Sequence, residues 1–265
     1  MSLEYQCPLC SKSLTKTQNT LRCESNHSFD FAKEGYVNLL PVQNKNSKQP
    51  GDSLEMVQAR RTFLEQGYYA FLQKALSDII STIKGNNIID LGCGEGFYTH
   101  AIANNTQAQV YGVDISKSAI KYAAKRYPNC SFSVASISQA PFKEGFADIL
   151  ISVFAPLFTK ELDRLAKPNA TLVVASPGPW HLKELKAYIY QSVSEHTKVD
   201  VPEGFTETHQ DLITQQVTLS INDVRNLIMM TPFAWKFRPE HWETLEEKGE
   251  HHVTLSFYIT QFQKA

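Results

Sequence analysis

With 265 residues, 42% of them hydrophobic, the chain can bury the core of one large domain, or of one domain and a small companion. Its 26 basic and 27 acidic side chains leave a net charge of -1, which excludes a strong overall attraction to nucleic acid, so any RNA contact must come from a local patch. No run of eighteen apolar residues occurs and no apolar signal core opens the chain, so the expectation is a soluble, cytoplasmic protein with no membrane partner.

Three of the five cysteines fall near the N-terminus. Cys7-Pro8-Leu9-Cys10 is a C-x2-C pair, and Cys23 and His27 follow as C-x3-H after twelve intervening residues. Two short chelate loops joined by a hairpin place four ligands around one tetrahedral ion, for which zinc is the default. A disulfide reading would leave an odd thiol. A module spanning residues 1–42 has too little core to fold alone, so the metal would supply folding energy and its role is structural. Lys12, Lys16, Arg22 and Lys33 slightly outweigh the acids around them, which reads equally as a solvated face or as an RNA patch. The polar run from Pro41 to Asp52, with Lys45 and Lys48, reads as a linker loop, and residues 43–84 as linker and helices.

Ser53 to Phe63 has a helix pattern, capped by Asp52 or Ser53, with Glu55 in its first turn. Phe71, Leu72, Leu76, Ile79, Ile80 and Ile83 have the spacing of a second amphipathic helix. From residue 85 to 265 strands and helices alternate. Strands are predicted at 88–91, 110–113, 131–135, 147–153 and 171–176, and helices at 98–104, 116–126 and 157–166. That order gives an α/β, doubly wound, Rossmann-like sheet with ligands at the carboxyl ends of its strands. Val217–Leu219 and Leu255–Ile259 alternate like strands and could complete the sheet as an antiparallel hairpin. Met229–Trp235 reads as core or pocket wall, core being the simpler reading, and Glu240–Glu250 as a solvated helix.

Ile88-Ile89-Asp90-Leu91-Gly92-Cys93-Gly94-Glu95-Gly96 carries the most information. An apolar run ending in an acid and three alternating glycines describes a buried strand turning sharply into a helix beside a ligand. Asp114, at the end of the next apolar run, stands where such a unit delivers a carboxylate to a ribose. A dinucleotide fingerprint needs a third glycine where Phe97 stands, which weakens an oxidoreductase reading. The G-x-G-x-G pattern resembles motif I of the class I S-adenosylmethionine (SAM) methyltransferases. That resemblance implies that Asp90 lies under the cofactor's amino group, that Gly92, Gly94 and Glu95 line it, and that Asp114 holds its ribose. It also implies adenine packing near Ala135-Ser136 and Pro141-Phe142. Ser152–Pro156 lacks the polar-Pro-Pro-aromatic tetrad of many amino-methylating relatives. His181, after the fifth predicted strand, reads evenly as binding or core.

Longer strings are more specific. They include Phe31–Val42, Pro50–Ser53 with Met56 and Gln58–Arg61, Asp90–His100, Ala124–Pro128, Pro177–Pro179 with His181-Leu182, and Met230–Trp235. Together, over essentially the whole chain, they resemble the 23S large-subunit ribosomal RNA (guanine-N1)-methyltransferases, in particular the branch acting at guanine 745 rather than its neighbour 748. The resemblance implies zinc on Cys7, Cys10, Cys23 and His27, SAM contacts from Tyr69, Gly94, Glu95 and His181, a 23S RNA hairpin as substrate, and a homodimer. One departure is Lys167-Pro168-Asn169-Ala170, where relatives carry Lys-Pro-Gly-Gly. For the proton on guanine N1, Glu34, Asp52, Glu161 and His181 are all conceivable acceptors. Tyr36, Phe154, Phe233 and Trp235 are conceivable stacking platforms, each also readable as core. Arg60 and Arg61 are candidates for phosphate contacts. A SAM enzyme acting on a small molecule and a non-catalytic RNA-binding protein with a SAM fold are the alternative readings.

Overall fold

A computed structural model of the chain describes residues 4–42 and 51–265. Lys45 and Lys48 of the predicted linker lie outside the described residues. Strands β1 (Thr15–Thr17), β2 (Thr20–Arg22) and β3 (Ser28–Asp30) form a small antiparallel sheet. Strand β4 (Val37–Asn38) follows, then helices α1 (Leu54–Glu65) and α2 (Ala70–Thr82). The Ser53 hydroxyl caps α1 by accepting from the Met56 N–H at 3.2 Å, which satisfies one of the four orphan donors of a helix start.

The alternating part contains β5 (Asn87–Leu91), α3 (Phe97–Asn104), β6 (Gln109–Asp114), α4 (Lys117–Arg126), β7 (Ser131–Val134), β8 (Ala147–Val153), α5 (Thr159–Leu165) and β9 (Ala166–Pro177). A short α6 (Lys183–Lys186), β10 (Phe205–Ser220), α7 (Ile221–Met229), α8 (Pro239–Lys248) and β11 (Glu250–Lys264) complete the chain. One eight-stranded sheet runs β10-β11-β9-β8-β5-β6-β7-β4. Strands β5 to β9 are parallel to one another, and β11 lies antiparallel to both β9 and β10. Successive residues point to opposite faces: Ile88 joins the apolar cluster with Leu72, Leu76 and Leu227, while Ile89 joins the cluster with Tyr111, Phe142 and Leu150.

The structure alters three expectations. β10 and β11 pair as predicted, but α7 and α8 intervene, so they are no simple hairpin. β4 pairs in parallel with β7, making the N-terminal segment the edge of the main sheet. Tyr5 is buried edge-on against Tyr111 and packs on Phe142, and Phe142 stacks on Phe146 at 5.0 Å. Phe142 is therefore core that seats the N-terminal segment, and is not an adenine wall. Asn169, at the departure from Lys-Pro-Gly-Gly, takes φ +62°, a left-handed conformation that asparagine tolerates better than most side chains.

Candidate functional site

The parallel strands end together, and the glycine loop leaves β5 at that end. Asp90 is buried and accepts a 2.6 Å hydrogen bond from the Thr99 hydroxyl on α3. Burial pushes its carboxyl up to about 7 despite that bond, and Asp114 and Glu95 push the same way. The Gly92 N–H donates to the Val113 carbonyl at 2.8 Å. A Cβ on Gly92 would stand 2.6 Å from Ala155 Cβ, so this glycine lets the loop after β8 close onto the loop after β5. A Cβ on Gly94 would meet only Arg60 Nη1, at 3.7 Å, so this glycine keeps the inner side of the loop open.

Asp114 holds the loop in place. Its Oδ2 accepts the Gly94 N–H at 3.0 Å and its Oδ1 the Ser116 N–H at 2.7 Å. Glu95 is buried, and its Oε2 has no hydrogen-bond partner among the described residues. Burial raises the Glu95 and Asp114 carboxyls, and the Arg60 guanidinium partly offsets this in both. Arg60 reaches in from α1 and pairs with Asp52. It faces the acids of the cleft, which places it inside the site rather than on a phosphate-facing surface. Arg61 instead lies with Lys125, Arg126 and Glu95 along a cleft of about 850 Å³. Four acids (Asp52, Asp90, Glu95 and Asp114) against one arginine favour a cationic ligand.

Beside this loop stands a cage of four rings. Tyr69 lies 5.0 Å from Phe257, 6.4 Å from Phe154 and 6.4 Å from His181. Phe257 lies 4.7 Å from His181 and 5.5 Å from Phe154. Burial, and then the nearby Lys186 and His196, press the His181 imidazole down to about 3, so it is neutral. Its Nδ1 accepts the Ser256 N–H at 3.2 Å, which leaves the ring proton on Nε2 as a donor. Two bulky residues bracket the cage in left-handed backbone conformations: Phe154 after β8 (φ +57°) and Leu182 after His181 (φ +58°). Such strain costs on the order of 1–3 kcal/mol per residue and clusters at functional sites.

The N-terminal ligand set also comes together. Two tight turns turn the thiols toward one another: Ser11 N–H donates to Cys7 O at 2.8 Å, and Asn26 N–H to Cys23 O at 3.0 Å. His27 Nδ1 lies 3.4 Å from both Cys7 Sγ and Cys23 Sγ, and Cys10 Sγ lies 3.6 Å from Cys23 Sγ. All four ligand atoms lie within 4.8 Å of one another. A tetrahedral zinc with bonds of about 2.0–2.3 Å requires ligand separations of roughly 3.5–3.8 Å. The donor set and its spacing fit that ion.

Of the candidate cofactor residues from the sequence, Asp90, Gly92, Gly94, Glu95 and Asp114 gather at the glycine loop, Tyr69 and His181 meet in the ring cage, and Glu95 also lines the cleft of about 850 Å³. Sequence reasoning missed Arg60 inside the cleft and Phe257 in the cage. Neither carries a local signal, since one comes from α1 and the other from β11. Of the conceivable platforms, Tyr36 is buried, Phe233 is half-buried, and Phe154 and Trp235 are exposed, the latter at 79%, which overturns its core reading.

Known proteins share this architecture. A zinc-ribbon family described as "RlmA, N-terminal" matches residues 5–48, and one described as "Methyltransferase domain" matches residues 83–249. A Streptomyces fradiae protein named 23S rRNA (guanine(748)-N(1))-methyltransferase is 31% identical over 96% of this chain and 95% of its own. The 2-methyl-6-phytyl-1,4-hydroquinone methyltransferase of a Synechocystis strain is 28% identical over 60% of this chain and 57% of its own. Among solved structures, Haemonchus contortus phosphoethanolamine N-methyltransferase 2 with S-adenosyl-L-methionine superposes with TM-score 0.50 and 16% identity, over 80% of this chain and 57% of its own.

Proposed function

The chain belongs to the 23S rRNA (guanine-N1)-methyltransferases, and from that premise we propose that it methylates N1 of one guanine in a hairpin loop of 23S rRNA, at position 745. The observation that carries this reading is the acid-lined glycine loop opening directly onto an aromatic cage. The 745 assignment rests on the sequence strings, while the Streptomyces fradiae relative is named for 748.

The cleft fits SAM on its own chemistry. Bound there, SAM supplies an electrophilic methyl group on a sulfonium. The free Oε2 of buried Glu95 is an acceptor for a ligand's donor, and Asp90, raised to about 7, would add negative charge beneath the loop when a cationic group displaces its proton. Asp114, already fixed by two backbone N–H groups, presents its remaining lone pairs to a ribose. Tyr69 and His181 would flank the bound cofactor, and His181 would offer its Nε2–H. Catalysis of methyl displacement is mostly positioning, and hydrogen bonds hold Asp90, Asp114 and His181 in place.

The N1 proton must leave as the methyl arrives. His181 is a poor acceptor, because it is pressed down to about 3 and its Nδ1 is filled by the Ser256 N–H. Glu161 is closed off as well: Arg164 Nη2 and the Ala140 N–H reach its Oε1, both at 2.6 Å, and Arg164 Nε reaches its Oε2 at 2.8 Å. Glu34 and Asp52 pair with Lys121 and Arg60.

In this reading residues 1–42 hold one structural zinc on Cys7, Cys10, Cys23 and His27 and dock the RNA hairpin. Residues 43–84 link the two and lend Arg60 and Tyr69 to the site, and residues 85–265 carry out transfer, in a cytoplasmic homodimer. Among the described residues no helix is long and apolar enough to cross a membrane. A small-molecule enzyme is the second reading, and the partial match to the Synechocystis enzyme is what speaks for it. Primer extension on unmodified 23S rRNA treated with the protein and SAM separates the two. One new stop at guanine 745 supports the proposal, a stop at 748 corrects the position, and no stop sinks it.

A further inference from the structure

We propose that Phe154 is the stacking wall for the target base, a positioning residue that takes no part in bond making. The inference rests on the methylation reading above and adds the residue that receives the acceptor. Phe154 is the first residue after β8, and the next residue, Ala155, lies against Gly92 of the glycine loop. Its ring belongs to the cage with Tyr69, His181 and Phe257, and the residue is 44% exposed.

A phenylalanine serving only the core would be buried and relaxed, and Phe154 is neither. Its backbone has φ +57°, which bulky side chains avoid. The surroundings enforce that conformation. The Phe154 N–H donates to the Ala175 carbonyl at 3.0 Å, and the Ser152 hydroxyl donates to the Ala155 carbonyl at 3.2 Å. The left-handed turn keeps the ring in the cage while leaving part of it in solvent. An exposed ring at the mouth of a cofactor cleft suits an unpaired base, which stacks on aromatic faces when drawn from a hairpin loop. His181 lies nearly parallel to it, 17° apart with centroids at 6.5 Å, so a base stacked on Phe154 would lie in the same orientation as the imidazole.

The test uses the full-length protein with S-adenosylhomocysteine and a 23S hairpin carrying 2-aminopurine at the methylated guanine. Binding to the wild type should change the 2-aminopurine fluorescence as the base unstacks from RNA and stacks on Phe154. Phe154→Leu should abolish that change and lower kcat roughly 5- to 150-fold, the worth of one base–aromatic stack. Its affinity for SAM should stay within about threefold. Phe154→Tyr, which keeps the ring, should restore both fluorescence and rate. A Phe154→Leu protein with wild-type fluorescence and rate would overturn the inference, as would a Phe154→Tyr protein as poor as Phe154→Leu. Failure of the wild type to methylate the natural hairpin would instead overturn the functional reading beneath it.

Discussion

The zinc-binding segment and the strand-end cleft solve one problem, the placing of a few polar groups with precision, by opposite means. The segment does it locally: two tight turns and a hairpin bring Cys7, Cys10, Cys23 and His27 together within 21 residues of chain. Its apolar side chains Leu14 and Leu21 have no core of their own and share a buried cluster with Ile89, Tyr111 and Phe142 of the sheet. The cleft does it globally, drawing Arg60, Tyr69, Asp90, Asp114, Phe154, His181 and Phe257 from separate elements of an already packed sheet. A local site depends on its ion, whereas a global site depends on its core.

The largest effect should come from removing the metal. Chelation, or Cys23→Ser, withdraws binding energy of about 10 kcal/mol or more from a segment that cannot fold without it. Zinc content by mass spectrometry should drop and RNA binding should be lost, while SAM affinity by calorimetry stays within about twofold. Loss of SAM binding as well would show that the two regions are one cooperative unit, because β4 and Tyr5 tie the segment to the sheet.

Asp90 sharpens the comparison from the cleft side. Its carboxyl is raised from near 3.8 to about 7, so the folded state holds a proton that the unfolded state releases. Its contribution to stability therefore falls as pH rises from about 4 to 7, and Asp90→Asn should melt higher than wild type at pH 8 but not at pH 4. A cationic ligand favours the ionised form, so SAM should bind the wild type more tightly at pH 8 than at pH 6, with proton release visible in buffers of different ionisation heat. Asp90→Asn should lose this pH dependence and roughly tenfold or more in affinity. A variant that is less stable at pH 8 and equally tight for SAM would contradict the placement of this charge. The smallest effect is expected outside both regions: Asn169→Gly relieves φ +62° and should change stability by less than about 1 kcal/mol with no effect on SAM binding.

The same contrast explains what could be read from sequence. The zinc ligands, the glycine loop, Asp114 and the cap Ser53 are local patterns, and each stands where spacing put it. The cage could not be read, since Tyr69 and Phe257 meet only after β11 docks against β9. β10 was foreseen only at Val217–Leu219 because its outer residues are largely exposed, so most of the strand lacks an apolar alternation. Phe142, expected near the adenine, is core, and Trp235, read more simply as core, is exposed, for a related reason. A single aromatic residue carries no record of which neighbour covers it.

The most direct test of the account is mass spectrometry of nucleosides from unmodified 23S rRNA incubated with the zinc-loaded protein and methyl-deuterated SAM. The account predicts the label in 1-methylguanosine alone, in an amount approaching one per RNA. Label in another nucleoside, or none at all while SAM binds the cleft, would contradict it.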